Sequence, residues 1–128
     1  MVCSRNDTLN GGLGNDTLIG GEGSDTFIFD VTLGATNIDT ILDFDTVEDM
    51  LSLNNLVFKK LIDGALSADN FASNTTGKAI DANDFILYNT TNGNLSYDSD
   101  GSGAGAAVLF ANLANKPIDL SYIDFMVI

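Results

Sequence analysis

Gly11-Gly12-Leu13-Gly14-Asn15-Asp16-Thr17-Leu18-Ile19 is followed without a gap by Gly20-Gly21-Glu22-Gly23-Ser24-Asp25-Thr26-Phe27-Ile28. The two stretches superpose column by column, and Arg5-Asn6-Asp7-Thr8-Leu9-Asn10 before them is the back half of a third copy. Asp7, Asp16 and Asp25 recur every nine residues, as do Thr8, Thr17 and Thr26, and Leu9, Leu18 and Phe27. Three columns repeating together mark a structural unit and not a compositional bias.

Each unit divides in two. Its first six residues hold three glycines, which adopt left-handed or very tight backbone conformations without a Cβ penalty and so turn the chain sharply. Such a turn exposes carbonyl oxygens on one side, and the aspartate in sixth place adds a short carboxylate. Oxygen ligands of these two kinds suit a hard cation of flexible geometry, which is calcium. The last three residues form a short strand with one large apolar side chain pointing inward. Turn, strand, turn and strand close one coil of a parallel β-roll, so units eighteen residues apart stack on the same side. Asp7 and Asp25 are therefore expected to share a face and to clamp one ion between two turns. Counting eighteen onward puts Asp43 on that face. Asp39, displaced by an insertion of about five residues after Asp30, falls on the face of Asp16.

The pattern Gly-Gly-x-Gly-x-Asp-x-apolar-x resembles the RTX (repeats-in-toxin) calcium-binding β-roll of bacterial exoproteins. The candidate ligands on this reading are Asp7, Asp16, Asp25, Asp39 and Asp43, with Gly12, Gly14, Gly21 and Gly23 in the turns. The stretch Asp43-Phe44-Asp45-Thr46-Val47-Glu48-Asp49-Met50-Leu51-Ser52-Leu53 is similar to the segment that follows the roll in serralysin-type proteases. Val47 stands where a turn glycine is usual there, which points to a longer loop, and Asp49 joins the candidate ligands. The resemblance extends, more diffusely, to the tail domain that closes many RTX exoproteins. In that family an acidic residue before terminal apolar ones, as in Asp124-Phe125-Met126-Val127-Ile128, carries a signal for export by type I (ABC-transporter) machinery.

Composition narrows the function classes. The chain has 128 residues, enough for one modest core, and its 45 % apolar content argues against disorder. Net charge is −13, and 16 of the 18 acidic residues are Asp, the others being Glu22 and Glu48. Short carboxylates at this excess suit turns and ion-binding loops. No basic patch exists to meet phosphates, which argues against nucleic acid. With no histidine there is no Ser-His-Asp triad and no histidine-ligated zinc. Cys3 is the only cysteine, so no internal disulfide forms, and it is read as incidental. No apolar run approaches a membrane span, and Met1-Val2-Cys3-Ser4 lacks the features of a secretory signal peptide. The repeat is entered in mid-copy, with Cys3 and Arg5 in glycine columns, so the chain is expected to be the tail of a longer protein.

The remainder reads as further β-structure. Leu51 to Phe58 is expected as one strand or a pair. Leu66-Ser67-Ala68-Asp69-Asn70-Phe71 reads as a single helical turn with Ser67 as its N-cap, and residues 73–78 form a polar loop. Strands follow at 84–89, 94–97 and 106–110, the first two joined by the Asn92-Gly93 hairpin signal. Asp98-Ser99-Asp100-Gly101-Ser102-Gly103 opens like an EF-hand loop, but Leu109 occupies the place of the essential Glu, so a glycine-rich hairpin connection is preferred. Residues 117–125 read as a short capped turn before a closing strand.

The expected fold is thus all-β: a short parallel roll over residues 1–45, continuing into an antiparallel, β-sandwich-like tail over 46–128. The expected function is that of a calcium-binding module of a secreted bacterial protein, extracellular or at the cell surface, folding when it meets calcium outside the cell. Catalysis within these residues is not expected, although the parent chain can carry a catalytic domain upstream. The alternative is a carbohydrate-binding or adhesive module for a polysaccharide, with Tyr88, Tyr97 and Tyr122 stacking on sugar rings from one open face.

Overall fold

The computed structural model describes residues 7–10, 12–34, 36–101 and 107–128. The readings made above for Cys3, Arg5, Asn6, Gly11, Ser102, Gly103 and Ala106 lie outside the described residues. Among the described residues, eleven strands form two facing sheets. The nonapeptides supply β1 (Thr8–Asn10), β2 (Thr17–Leu18) and β3 (Thr26–Phe29), and β4 (Asp39–Ile41) and β5 (Met50–Leu53) follow. Strands β1, β3 and β5 pair in parallel in one sheet, while β2 and β4 pair in parallel in the other. This is a β-roll, with one turn per crossing between sheets.

The register repeats the sequence columns: Thr8 lies beside Thr26, and Leu9 beside Phe27. One of every two strand residues points inward, as a pleated strand requires. Phe27, Phe29 and Ile41 are buried, while Leu9 and Leu18 near the start of the roll are only half-buried.

Both sheets continue past residue 45. After β5 the chain turns through residues 55–60, so the expected strand over 51–58 stops at Leu53. Beyond β6 (Gly64–Ala65), Ser67 accepts a hydrogen bond from the Asp69 N–H and caps a 3-10 turn over Ala68–Asn70. The expected loop at 73–78 instead begins inside strand β7 (Phe71–Asn74), which pairs in parallel with β8 (Ile86–Asn89). Strands β8, β9 (Asn94–Tyr97) and β10 (Val108–Leu113) form the expected antiparallel meander. Gly93 takes the left-handed conformation at its first corner, with φ +82°.

Two long-range pairings join this tail to the roll. β10 lies parallel to β4, and β11 (Phe125–Val127) lies parallel to β5. The sheet orders are β1-β3-β5-β11-β6 and β2-β4-β10-β9-β8-β7. One apolar core therefore serves residues on both sides of position 45. Its centre is a run of edge-to-face rings, with Phe110 5.3 Å from Phe29 and 5.0 Å from Phe58, and Phe58 5.2 Å from Tyr97.

Among the described residues, no helix is long and apolar enough to cross a membrane.

Candidate metal centre in the turns of the roll

The glycine turns are built twice in the same way. Gly12 and Gly21 have φ of +71° and +78°, and Gly14 and Gly23 both have +100°. A side chain in the left-handed region costs about 1–2 kcal/mol, which explains why both turns place glycine in these columns.

Each aspartate at a turn's end is gripped by the aspartate of the next coil. The Asp7 N–H donates to Asp25 Oδ1 at 2.9 Å, the Asp16 N–H to Asp39 Oδ1 at 3.0 Å, and the Asp25 N–H to Asp49 Oδ1 at 2.9 Å. The residue after the gripping aspartate returns a bond. Thr26, Thr40 and Met50 donate their N–H groups to the carbonyls of Asp7, Asp16 and Asp25 at 2.7–2.8 Å. Two aspartate ladders result: Asp7–Asp25–Asp49 at one side of the roll and Asp16–Asp39 at the other.

Asp39 is thus where the spacing put it. Asp43 also lies on its expected side, in the turn stacked on that of Asp25, but the ladder of Asp7 and Asp25 continues through Asp49. The expectation counted eighteen residues straight across an insertion, whereas the coil from Asp25 to Asp49 is longer. Asp43 instead accepts from the Gly20 and Gly21 N–H groups at 2.9 and 2.8 Å, one on each oxygen.

Val47 does not disturb its turn. Asp45 Oδ1 accepts from the Val47 N–H at 2.8 Å, and the Asp49 N–H donates to the Asp45 carbonyl at 2.8 Å. Neither bond requires a positive φ, and Val47 projects into solvent. On the opposite side of the roll asparagine side chains tie the repeat turn to the inserted residues. Asn37 Oδ1 accepts from the Gly14 N–H at 2.8 Å, and Asn15 Oδ1 accepts from the Ile38 N–H at 2.7 Å.

Two carboxylate oxygens stand apart. Asp16 Oδ2 and Asp25 Oδ2 are buried and meet no hydrogen-bond donor. Asp25 is 1 % exposed as a residue. Removing a carboxylate oxygen from water without a partner is costly, so a buried one calls for a cation or a proton. Gly20 is packed so closely on Asp25 Oδ2 that a Cβ there would collide with it. Beside these turns runs an open acidic cleft lined by Gly21, Glu22, Gly23, Asp43, Asp45 and Glu48. Burial raises the carboxyls of Asp39 and Asp49 above their ordinary value, and the neighbouring charges of Asp16, and of Asp25 and Asp45, act in the same direction. Among the described residues no three acidic or thiol side chains converge on one point. An ion in these turns therefore draws on backbone carbonyls together with single carboxylates. Hard oxygen donors of both kinds, with unsatisfied buried carboxylate oxygen among them, fit calcium.

The tyrosine platform does not exist as expected. Tyr88 is fully buried and its hydroxyl donates to the Pro117 carbonyl at 2.8 Å. Burial, with a smaller contribution from Asp119, pushes its pKa up to about 12. Tyr97 is 7 % exposed, and its hydroxyl oxygen accepts from the Lys60 N–H at 3.0 Å. Alternation along β8 and β9 was visible in the sequence, but the face that would meet the core was not. In the loop after β9, the Asp100 N–H donates to Asp98 Oδ1 at 3.2 Å, and Gly101 has φ +60°. Its following residues lie outside those described.

A comparison with curated proteins returns no match. Residues 4–30, however, match the family model described as the RTX calcium-binding nonapeptide repeat (4 copies), a repeat whose ion is Ca2+.

Proposed function

We propose that this chain is a calcium-dependent folding module of a secreted protein, exported by type I machinery and completed outside the cell. The observation that carries the reading is the buried, donorless oxygen on Asp16 and on Asp25, set in glycine turns of repeating conformation. Without a cation these oxygens oppose folding, and the net charge of −13 adds self-repulsion. Calcium supplies the positive charge that both require. Asp16 and Asp25 hold it, Asp7 and Asp39 stand in the same ladders, and the turns of Gly12, Gly14, Gly21 and Gly23 present carbonyl oxygen.

Binding to the native state alone stabilises it by mass action, by about 2.7 kcal/mol at a hundredfold excess over the dissociation constant. Sites of roughly 0.1–1 mM affinity, typical of extracellular modules, stay empty in the cytosol and fill outside. An export-competent, loosely ordered roll inside the cell and an ordered one outside follow from that difference. The chain's lack of histidine and the use of its regular aspartates in the turns favour a binding module over an enzyme.

The test is a calcium titration of the chelated protein, followed by far-UV circular dichroism and calorimetry. Ordered β-structure or a higher Tm appearing near millimolar calcium, and lost in Asp25→Ala, supports the reading. A chelated protein that is already fully folded and indifferent to calcium overturns it.

A further inference from the structure

The aspartates of the roll look alike in sequence, yet their second oxygens are treated in two different ways. Asp25 grips the Asp7 N–H with Oδ1, and its Oδ2 meets no donor although the residue is 1 % exposed. Asp49 makes the same grip on the Asp25 N–H one coil later, and it is almost as deeply buried. Its Oδ2, however, accepts from the Asp45 N–H at 2.9 Å, within its own turn. Asp43 has both oxygens occupied by the N–H groups of Gly20 and Gly21. The turn over residues 43–49 thus fastens itself to the turn over residues 20–25 through three backbone N–H groups, those of Gly20, Gly21 and Asp25, while the Asp45 N–H braces the clasp from within. None of those bonds requires an ion.

Hydrogen bonds from backbone N–H groups to both oxygens favour a carboxylate's charged form without a counter-ion, and in Asp49 they work against the burial that raises its carboxyl. A buried carboxylate with an empty oxygen lacks that support. The acidic side chains of the adjoining cleft, Glu22, Asp45 and Glu48, are exposed and solvated, so they place no comparable demand for a cation.

Resting on the calcium reading above, we infer that the roll contains two functional kinds of aspartate. Asp16 and Asp25 are calcium-holding, whereas Asp43 and Asp49 are ion-independent clasps that dock the last coil onto the repeats. The ladder of sites therefore stops before the turn at 43–49, and that turn forms a preassembled floor on which calcium orders the coils before it.

The two kinds differ in the sign of what a neutral isostere does. Asp25→Asn removes a buried charge that has no partner in the calcium-free protein. Asp49→Asn and Asp43→Asn each replace an accepting oxygen with an amide that faces a backbone donor. The experiment uses the full chain and reads calcium stoichiometry by isothermal titration calorimetry, together with the Tm in chelator. Asp25→Asn is expected to lose at least one bound calcium while its calcium-free Tm stays level or rises. Asp49→Asn and Asp43→Asn are expected to keep the wild-type stoichiometry while their calcium-free Tm falls by about 3–6 °C or more.

Loss of an ion in either clasp variant overturns the inference, as does a calcium-free Tm loss in Asp25→Asn as large as theirs. If Asp49→Asn does not fold in chelator, the more exposed Asp43→Asn decides alone. A wild-type chain that binds no calcium defeats the underlying reading. A wild-type chain that binds while Asp49→Asn loses an ion defeats only this inference.

Discussion

The coils of residues 7–29 and the tail around β8–β10 are built of the same short strands, yet they are held together differently. In the first, Leu9 and Leu18 are only half-buried and the core is reached only at Phe27 and Phe29, and the turns enclose carboxylate oxygens without donors. In the second, Phe58, Tyr88, Leu95 and Phe110 are sealed from solvent, and the tyrosine hydroxyls have backbone partners. One region awaits a positive charge, while the other is complete on apolar burial. A single sheet architecture can therefore contain a conditional half and an unconditional half.

The largest blow to the unconditional half is Phe110→Ala. It deletes the ring that touches both Phe29 and Phe58, and core truncations of this kind cost about 3–5 kcal/mol. Denaturant unfolding should show the loss with calcium and in chelator alike. A loss seen only with calcium would erase the distinction between the halves.

Chelation of the wild-type chain comes next, with an expected loss of about 2.7 kcal/mol if calcium had been at a hundred times its dissociation constant. Amide exchange should then rise in residues 7–29 and change little in 86–97. Uniform loss of protection would mean that the two regions unfold as one.

Gly21→Ala sharpens the comparison within a single turn. Its φ of +78° makes any Cβ strained, for an expected cost of about 1–2 kcal/mol measured by thermal unfolding in calcium.

Acidity probes the same contrast. Burial raises the carboxyls of Asp39, Asp49 and Asp124 above their ordinary value of 3.8. The folded state therefore holds these protons more tightly than the unfolded chain. Calcium-free stability should rise as pH falls through the raised values towards 3.8, and decline as pH climbs back through them. A calcium-free Tm that drops steadily from pH 7 to pH 5 would contradict this sign.

The smallest effect belongs to Val47→Gly. Val47 is 88 % exposed and its turn needs no positive φ, so stability should move by less than about 0.5 kcal/mol in denaturant titration.

The legible parts of the fold were those written locally. The nine-residue columns set the pairing of Thr8 with Thr26, and the Ser67 cap and Asn92-Gly93 corner followed from side-chain chemistry within a few residues. A count of eighteen reaches the right side of the roll at Asp43 but not the ladder position, which Asp49 takes, because periodicity carries register only while coil length is constant. The insertion after Asp30 lies within both longer steps, from Asp16 to Asp39 and from Asp25 to Asp49. The pairings of β10 with β4 and of β11 with β5 left no local trace. Partners about seventy residues apart in sequence are selected by packing and not by any nearby residue. The burial of Tyr88 and Tyr97 was hidden for the same reason, since it depends on which sheet face meets the roll.

The sheet order β1-β3-β5-β11-β6 bears on timing. Residues 125–127 fill the place between β5 and β6, so that sheet cannot be assembled in the order in which the chain emerges from a ribosome or a pore. Strand β5 must wait with one edge open until over seventy further residues have arrived. Contacts of such long sequence separation slow folding and favour a late, concerted closure. On the proposed export route, the machinery would handle a chain whose final structure stays out of reach until nearly all of it has passed.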